Sequence, residues 1–217
     1  MIPRGLSAAD LRRRNRSGIL RLIHRHDALA RNDLAEALGL TRASMTILSG
    51  EMLEEGLLEE AGSSGPGGKA GRRKVFLRIR PEAGKLIGAG VESDRLQVLV
   101  TDLAGRVLGV RELPPHDFAF TGEDGGREPG PGARLAGAVL REARTLLRGS
   151  APGAAGVVGA GLGVTGRVDP GTGTCLREPR IWDGPVPLAG PLAEALGVPV
   201  SVDNNVRALA LAELLLT

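Results

Sequence analysis

The chain has 217 residues, 42% of them hydrophobic and 24% charged, which excludes a disordered or fibrous polymer and suits one large or two small globular domains. A single cysteine, Cys175, excludes a disulfide framework or a thiolate metal site built within the chain, and three Phe, one Trp and no Tyr exclude aromatic stacking as the main grip on single strands. Charge is unevenly placed: residues 1–80 carry 15 Lys and Arg against 9 Asp and Glu, a balance of +6, whereas residues 81–217 carry 13 against 16, a balance of −3, so attraction for a polyanion lies in the first part.

Ser7 precedes AADLRRRNRSGILRLIHRHD, in which Leu11, Ile19, Leu20 and Ile23 recur at helical spacing while arginines fill other positions, so an amphipathic helix begins here. His24 and His26 fall near its C-terminal end, where the helix dipole favours cations, and no acidic or cysteine partner is spaced for a metal site. In residues 31–56, RNDLAEALGLTRASMTILSGEMLEEG, apolar Leu34, Ala35 and Leu38, a Gly39-Leu40-Thr41 break, then Met45, Leu48 and Met52 predict two short helices joined by a tight turn. Thr41 suits the N-cap of the second helix, and Gly56 the left-handed residue that ends it. Such a helix-turn-helix either packs in a core as an ordinary helical hairpin or lays its second helix in the DNA major groove. In the groove, Arg42, Ser44 and Thr46 would meet base edges, with Arg31 and Thr41 beside them.

LLEEAG, the loop SSGPGGKAGRRK and VFLRI predict two short strands around a Gly-rich turn, a β-hairpin wing whose Lys69, Arg72, Arg73 and Lys74 would hold backbone phosphate. The loop approaches the phosphate pattern GxxxxGK[ST], but Ser63 stands where glycine is needed and Ala70 where a hydroxyl is needed, which rules out that nucleotide site. Residues 1–80 therefore read as a winged helix-turn-helix DNA-binding domain.

After Pro81 the pattern changes. LIGAGVESDRLQVLVTDLAGRVLGVREL predicts three strands, 86–91, 96–102 and 106–112, in a meander with turns at Ser93-Asp94 and Ala104-Gly105. Residues 114–132 are rich in Pro and Gly and predict a surface loop in which His116 has no assigned role, and 133–148 predict an amphipathic helix with Leu135, Val139, Ala143 and Leu146 on one face. GVVGAGLGVTGRVDPGTG predicts a buried strand at 157–164 followed by turns. Gly161, Gly163 and Gly166 match GxGxxG, but RVDPGTG cannot open the helix that a dinucleotide site needs, so a tight glycine turn remains, where backbone can approach a small ligand. LAGPLAEALGV predicts a helix, VPVSVD a strand, and NNVRALALAELLL a helix opened by Asn204 or Asn205. The opening MIPRGLSAADLRRRNR lacks the apolar run of a signal peptide, and the apolar stretch 209–216 is short and carries Glu213, so a cytoplasmic protein without a membrane partner is expected.

The succession of a winged helix, LIGAGVESDRLQVLVTDLAGRVLG, GLGVTGRVDPGTG and VPVSVDNNVRALALAE resembles the ROK family, which joins sugar kinases with sugar-responsive transcriptional repressors. The resemblance covers roughly residues 10–216, and its specific parts are GxGVxGxVDPxTG and the V-D-N-N segment. It implies an α/β protein in which the winged helix-turn-helix (1–80) precedes the first lobe of an actin-like ATPase (ribonuclease H-like) fold (81–217). That lobe is incomplete, because family members continue through a Glu-x-Gly-His sugar motif, a His and Cys zinc site and a second lobe carrying the dimer surface. On this basis no cofactor is expected in the chain, and the full-length form is expected to be a homo-oligomer. Either the chain is a truncated product or fragment, or the half-domain functions alone.

The D-x-G-G-T-K phosphate motif of the family kinases falls on Gly90-Val91-Glu92-Ser93-Asp94-Arg95, and their catalytic Asp on Asn205. A carboxylate at Glu92 would repel phosphates, and an amide cannot act as general base. The resemblance thus implies no enzyme but a repressor of carbohydrate-related genes, with a double-stranded operator and a sugar or sugar-phosphate effector. Candidate sugar contacts carried over are Gly166, Arg180, Asn204 and Asn205. The family's Pro-Asn contact falls on Pro179-Arg180, where arginine suits an acidic sugar, fills the site or is solvated; Asn204 is either a contact or a helix cap. In family recognition helices the position of Ile47 is often basic. The alternatives are a sugar kinase, and a fragment that binds DNA constitutively or dimerises through an uncovered face of Leu209, Leu211, Leu214 and Leu215.

Overall fold

The computed structural model describes residues 7–62, 74–117, 130–148, 156–182 and 184–216. The chain divides into two compact units between Arg80 and Pro81.

The first unit opens with α1 (Ala8–His26), started by a capping box in which Ser7 Oγ accepts from the Asp10 N–H at 3.1 Å while the Asp10 carboxylate accepts from the Ser7 N–H at 3.3 Å. Then follow β1 (Leu29–Ala30), α2 (Arg31–Ala37), α3 (Arg42–Glu54), β2 (Leu58–Glu60) and β3 (Phe76–Ile79). β3 lies between β1 and β2 in a small antiparallel sheet, with Leu29 opposite Leu77 and Leu58 opposite Ile79. β2 and β3 are the two strands expected around the basic turn, whereas two-residue β1 gives no period in the sequence and was not foreseen. Ile19, Ile23, Leu34, Met45, Met52, Leu58 and Leu77 are all at most 2% exposed and form the core that unites helices and sheet. Outside it, Arg16 forks onto Glu55 and Arg12 meets Glu51, so two of the α1 arginines fasten α1 to α3. The Arg16 guanidinium holds the Glu55 carboxyl below the usual carboxylate range.

The second unit is built on β4 (Lys85–Val91), β5 (Leu96–Asp102) and β6 (Val107–Leu113), an antiparallel meander within one residue of the expected bounds. α4 (Pro131–Arg148) starts two residues earlier than the pattern suggests, because Pro at a first helical position loses no needed N–H. β7 (Val157–Val164) returns parallel to β4, and β11 (Val200–Asn204) lies parallel outside β7, giving the order β11-β7-β4-β5-β6. Between β7 and β11 the chain makes β8 (Arg167–Asp169), β9 (Thr174–Arg177), β10 (Val186–Pro187) and α5 (Ala189–Leu196). These three strands form a second antiparallel sheet, ordered β10-β9-β8, where the sequence reading expected only turns. The turn after β8 is closed by Asp169, whose carboxylate accepts from the Gly171 N–H at 3.0 Å and the Thr172 hydroxyl at 2.9 Å. α6 (Asn205–Leu216) follows β11 without a break, and its Val206, Leu209, Leu211 and Leu214 are exposed.

Alternation sets which face is buried. Leu96, Val98 and Val100 of β5, with Val91, Leu162, Val164 and Val202 on neighbouring strands, meet Leu135, Val139 and Ala143 of α4. Cys175 lies inside this core, and burial pushes its thiol pKa up, which makes it an inert packing group. Glu142, on the buried side of α4, is 6% exposed. Burial by itself raises its pKa, but hydrogen bonds from Arg111 of β6 and from Arg141 Nε at 3.0 Å outweigh that, and the net shift is downward. Because the folded pKa is depressed, the stabilisation is present above the ordinary carboxylate range and is lost as pH falls through the folded value. Glu142→Gln should lower unfolding stability at neutral pH by about 1 kcal/mol. It should also flatten the acid dependence between about pH 5 and pH 3, as read by urea denaturation followed by circular dichroism.

Candidate DNA-facing groove and effector site

In the first unit α3 is seated by its buried face, Met45, Leu48, Ser49 and Met52, leaving Arg42, Ala43, Thr46 and Ile47 outward. Thr41 is its N-cap as expected: Oγ1 accepts from the Ser44 N–H at 3.1 Å and donates to Ser44 Oγ at 2.9 Å. Thr46 Oγ1 donates to the Arg42 carbonyl at 2.8 Å, which leaves its lone pairs outward as acceptors. Ile47 is 59% exposed, an apolar group on the outward face of the helix.

Arg31, Arg42, Thr46 and Lys74, separated by up to 43 positions, line one groove of about 410 Å³ together with Asn32 and Met45. The groove runs between the start of α2, the first turns of α3 and the residues that lead into β3. Such a concavity offers three cations and several neutral hydrogen-bonding groups to an anionic ligand. Lys69, Arg72 and Arg73 lie outside the described residues. Asn32 and the carboxylates of Asp33 and Glu60, which pair with Lys74 and Arg31, carry no mark in the sequence, and Met45 reads there only as a helix-face apolar residue; the Asp33–Lys74 pair spans 41 positions and has no local signature.

In the second unit, Asn204 is used twice. Its Oδ1 accepts from the N–H groups of Val206 at 3.0 Å and Arg207 at 3.3 Å, capping α6, and its Nδ2 donates to the Gly166 carbonyl at 2.7 Å. One side chain therefore ties the start of α6 to the glycine turn after β7. Gly166 has φ 104°, and a Cβ there would lie 2.4 Å from the Arg177 carbonyl oxygen, so this glycine is required by the close approach of β9. Asn205, half-buried, accepts from the Val206 N–H at 2.9 Å through Oδ1, and its Nδ2 meets no acceptor among the described residues. Arg180 is 66% exposed, with Nε 3.1 Å from buried Glu178. Of the four, Gly166 and Asn204 are joined directly, and neither Arg180 nor Asn205 is hydrogen-bonded to that pair. A separate apolar groove of about 390 Å³, lined by Trp182, Pro131, Gly132, Pro185, Pro187 and Pro191, includes none of them.

At the β4–β5 turn, the Glu92 N–H donates to the Arg95 carbonyl at 2.9 Å and the Arg95 guanidinium sits 3.0 Å from the Glu92 carboxylate. Among the described residues no group of three or more His, Cys, Asp or Glu is arranged to hold a metal, and no helix is long and apolar enough to cross a membrane. Asn204→Ala should cost about 1–2 kcal/mol through the lost cap and the lost Gly166 bond, measured by urea denaturation, whereas Asn205→Ala should have a much smaller effect.

Residues 133–217 match the model of the ROK family. A putative xylose repressor of a Caldicellulosiruptor strain is 27% identical over 92% of this chain and 47% of its own length. A transcriptional regulator of Mycobacterium bovis is 30% identical over 92% of this chain and 42% of its own. The chain therefore spans about half the length of the curated relatives it matches. The crystal structure of a ROK family transcriptional regulator, a homologue of the Escherichia coli MLC protein, superposes with TM-score 0.68 at 21% identity, covering 94% of this chain and 48% of that one, and so shares its α/β fold. The residues that match the ROK family model lie almost wholly within the second unit.

Proposed function

We propose that this chain is the DNA-binding part, and a portion of the effector-binding part, of a sequence-specific transcriptional repressor of carbohydrate-related genes. The observation that carries the reading is the cationic groove of the first unit. Arg31, Arg42, Thr46 and Lys74 converge beside a capped, outward-facing α3 in an order of helices and strands that suits a winged helix-turn-helix. α3 would enter the major groove, Arg42, Ser44 and Thr46 would meet base edges, and Lys74 with the basic segment before it would hold phosphate. Relatives named as xylose repressor and transcriptional regulator support the same reading. The effector would be a sugar or sugar phosphate reached through Asn205 and Arg180, with Asn204 and Gly166 shaping the site. The partner is a double-stranded operator, bound by a homo-oligomer in the full-length form and in the cytoplasm.

The second unit is read as ligand-binding without phosphoryl transfer. Asn205 carries an amide where a general base is needed, and the β4–β5 turn presents the Glu92 carboxylate clamped by Arg95 where phosphates would need converging N–H groups. Neither this chain nor Asn205→Asp should consume ATP in the presence of hexoses in a coupled assay; turnover by either would favour the kinase alternative.

Operator selection from a random duplex library should enrich a defined sequence, with affinity falling steeply as salt rises. Arg42→Ala should lose about 1–3 kcal/mol at the selected site and relax one base position. Absence of duplex binding even at low salt would overturn the reading.

A further inference from the structure

Two of the three cations that line the groove are already engaged by carboxylates of the same unit. Arg31 Nη2 lies 3.3 Å from Glu60 Oε1, and Lys74 Nζ lies 3.1 and 3.4 Å from the two oxygens of Asp33. Among the described residues Arg42 makes no ion pair. The two pairs join positions 29 and 41 apart, so the fold, not neighbouring helix turns, brings them together. All four side chains are between one-third and somewhat over one-half exposed, the regime in which an ion pair adds little to stability. Structural support is therefore a weak reason for two carboxylates to sit against the cations of this groove.

Arg31 is only partly engaged: Nη2 meets Glu60, while Nε is buried without a hydrogen-bond acceptor and is out of reach from the groove. A tetrahedral oxyanion that takes the place of Glu60 at Nη2 could meet Arg42 of the same groove as well, which Glu60 does not.

We propose that Asp33 and Glu60 are place-holders for DNA backbone phosphate: they neutralise Lys74 and Arg31 in the free protein, and duplex DNA displaces them on binding. The proposal rests on the DNA-binding reading above. Its consequence is that every duplex, whatever its sequence, must exchange carboxylate for phosphate at two cations. General attraction to DNA is lowered, and base contacts through α3 carry a larger share of discrimination.

The test is fluorescence anisotropy with the full chain and a labelled random-sequence duplex at low salt. Asp33→Asn should tighten binding about two- to fivefold, and the gain should vanish in a Lys74→Ala background. Glu60→Gln should behave alike, with its gain abolished by Arg31→Ala. Glu59→Gln, whose carboxylate pairs with Arg78 away from the groove lining, gives the general effect of removing one negative charge. Circular dichroism verifies that each variant is folded. The inference is overturned if Asp33→Asn and Glu60→Gln bind no tighter than Glu59→Gln, or if their gains persist undiminished without Lys74 and Arg31. Should the unaltered chain fail to bind duplex at all, the DNA-binding reading falls and this one with it; should it bind while the carboxylate variants match Glu59→Gln, this inference alone falls.

Discussion

Everything the first unit can present to a partner depends on how α3 is held. Met45, Leu48 and Met52 sink one side of the helix into a core shared with Ile19, Ile23, Leu34, Leu58 and Leu77. With those three fixed, helical geometry leaves Arg42, Thr46 and Ile47 no choice but to face outward. Thr41 settles the first turn, and the Arg12–Glu51 and Arg16–Glu55 pairs bind the helix to α1 from its other end. A recognition surface works only if its side chains start from a rigid frame, since ordering them on binding would cost affinity. The arginines of the first unit are thereby split between two jobs: Arg12 and Arg16 of α1 brace the helix, and Arg42 of α3, which makes no ion pair among the described residues, faces outward.

The second unit uses a comparable economy at Asn204. One amide caps α6 and grips the Gly166 turn, so the parallel strands β7 and β11 deliver two backbone segments to one place in fixed relation. Asn205, next along, accepts from the Val206 N–H and has its Nδ2 without an acceptor among the described residues. The motif G-x-G-V-x-G-x-V-D-P-x-T-G acquires a physical meaning from this arrangement. Its strand glycines lie where β7 runs between two neighbours, Gly166 permits the approach of β9, and Asp169 closes the turn that starts the small sheet.

Much of this was legible in the sequence because it rests on periodicity and on turn chemistry. The helix-turn-helix, the meander and the V-D-N-N helix start all have local signals, and their bounds agree with the observed elements to within about two residues. What escaped notice has no local signal. β1 is two residues long, and β8 to β10 are held by pairing across a Gly- and Pro-rich stretch that reads as turns. Asp33 and Glu60 carry no sequence signal of their own, and only the folded chain brings them against Lys74 and Arg31. Gly50 is a different case: a Cβ there would touch nothing within 4 Å, so no close neighbour explains a glycine inside α3.

Trp182, 3% exposed within the core of the second unit, is the sole tryptophan of a chain without tyrosine. Near-ultraviolet absorption and emission above that of phenylalanine therefore arise from the second unit alone. The first unit contributes nothing under excitation selective for tryptophan, and loss of structure around β9 and β10 can be watched in the intact chain by the red shift of one indole as water reaches it.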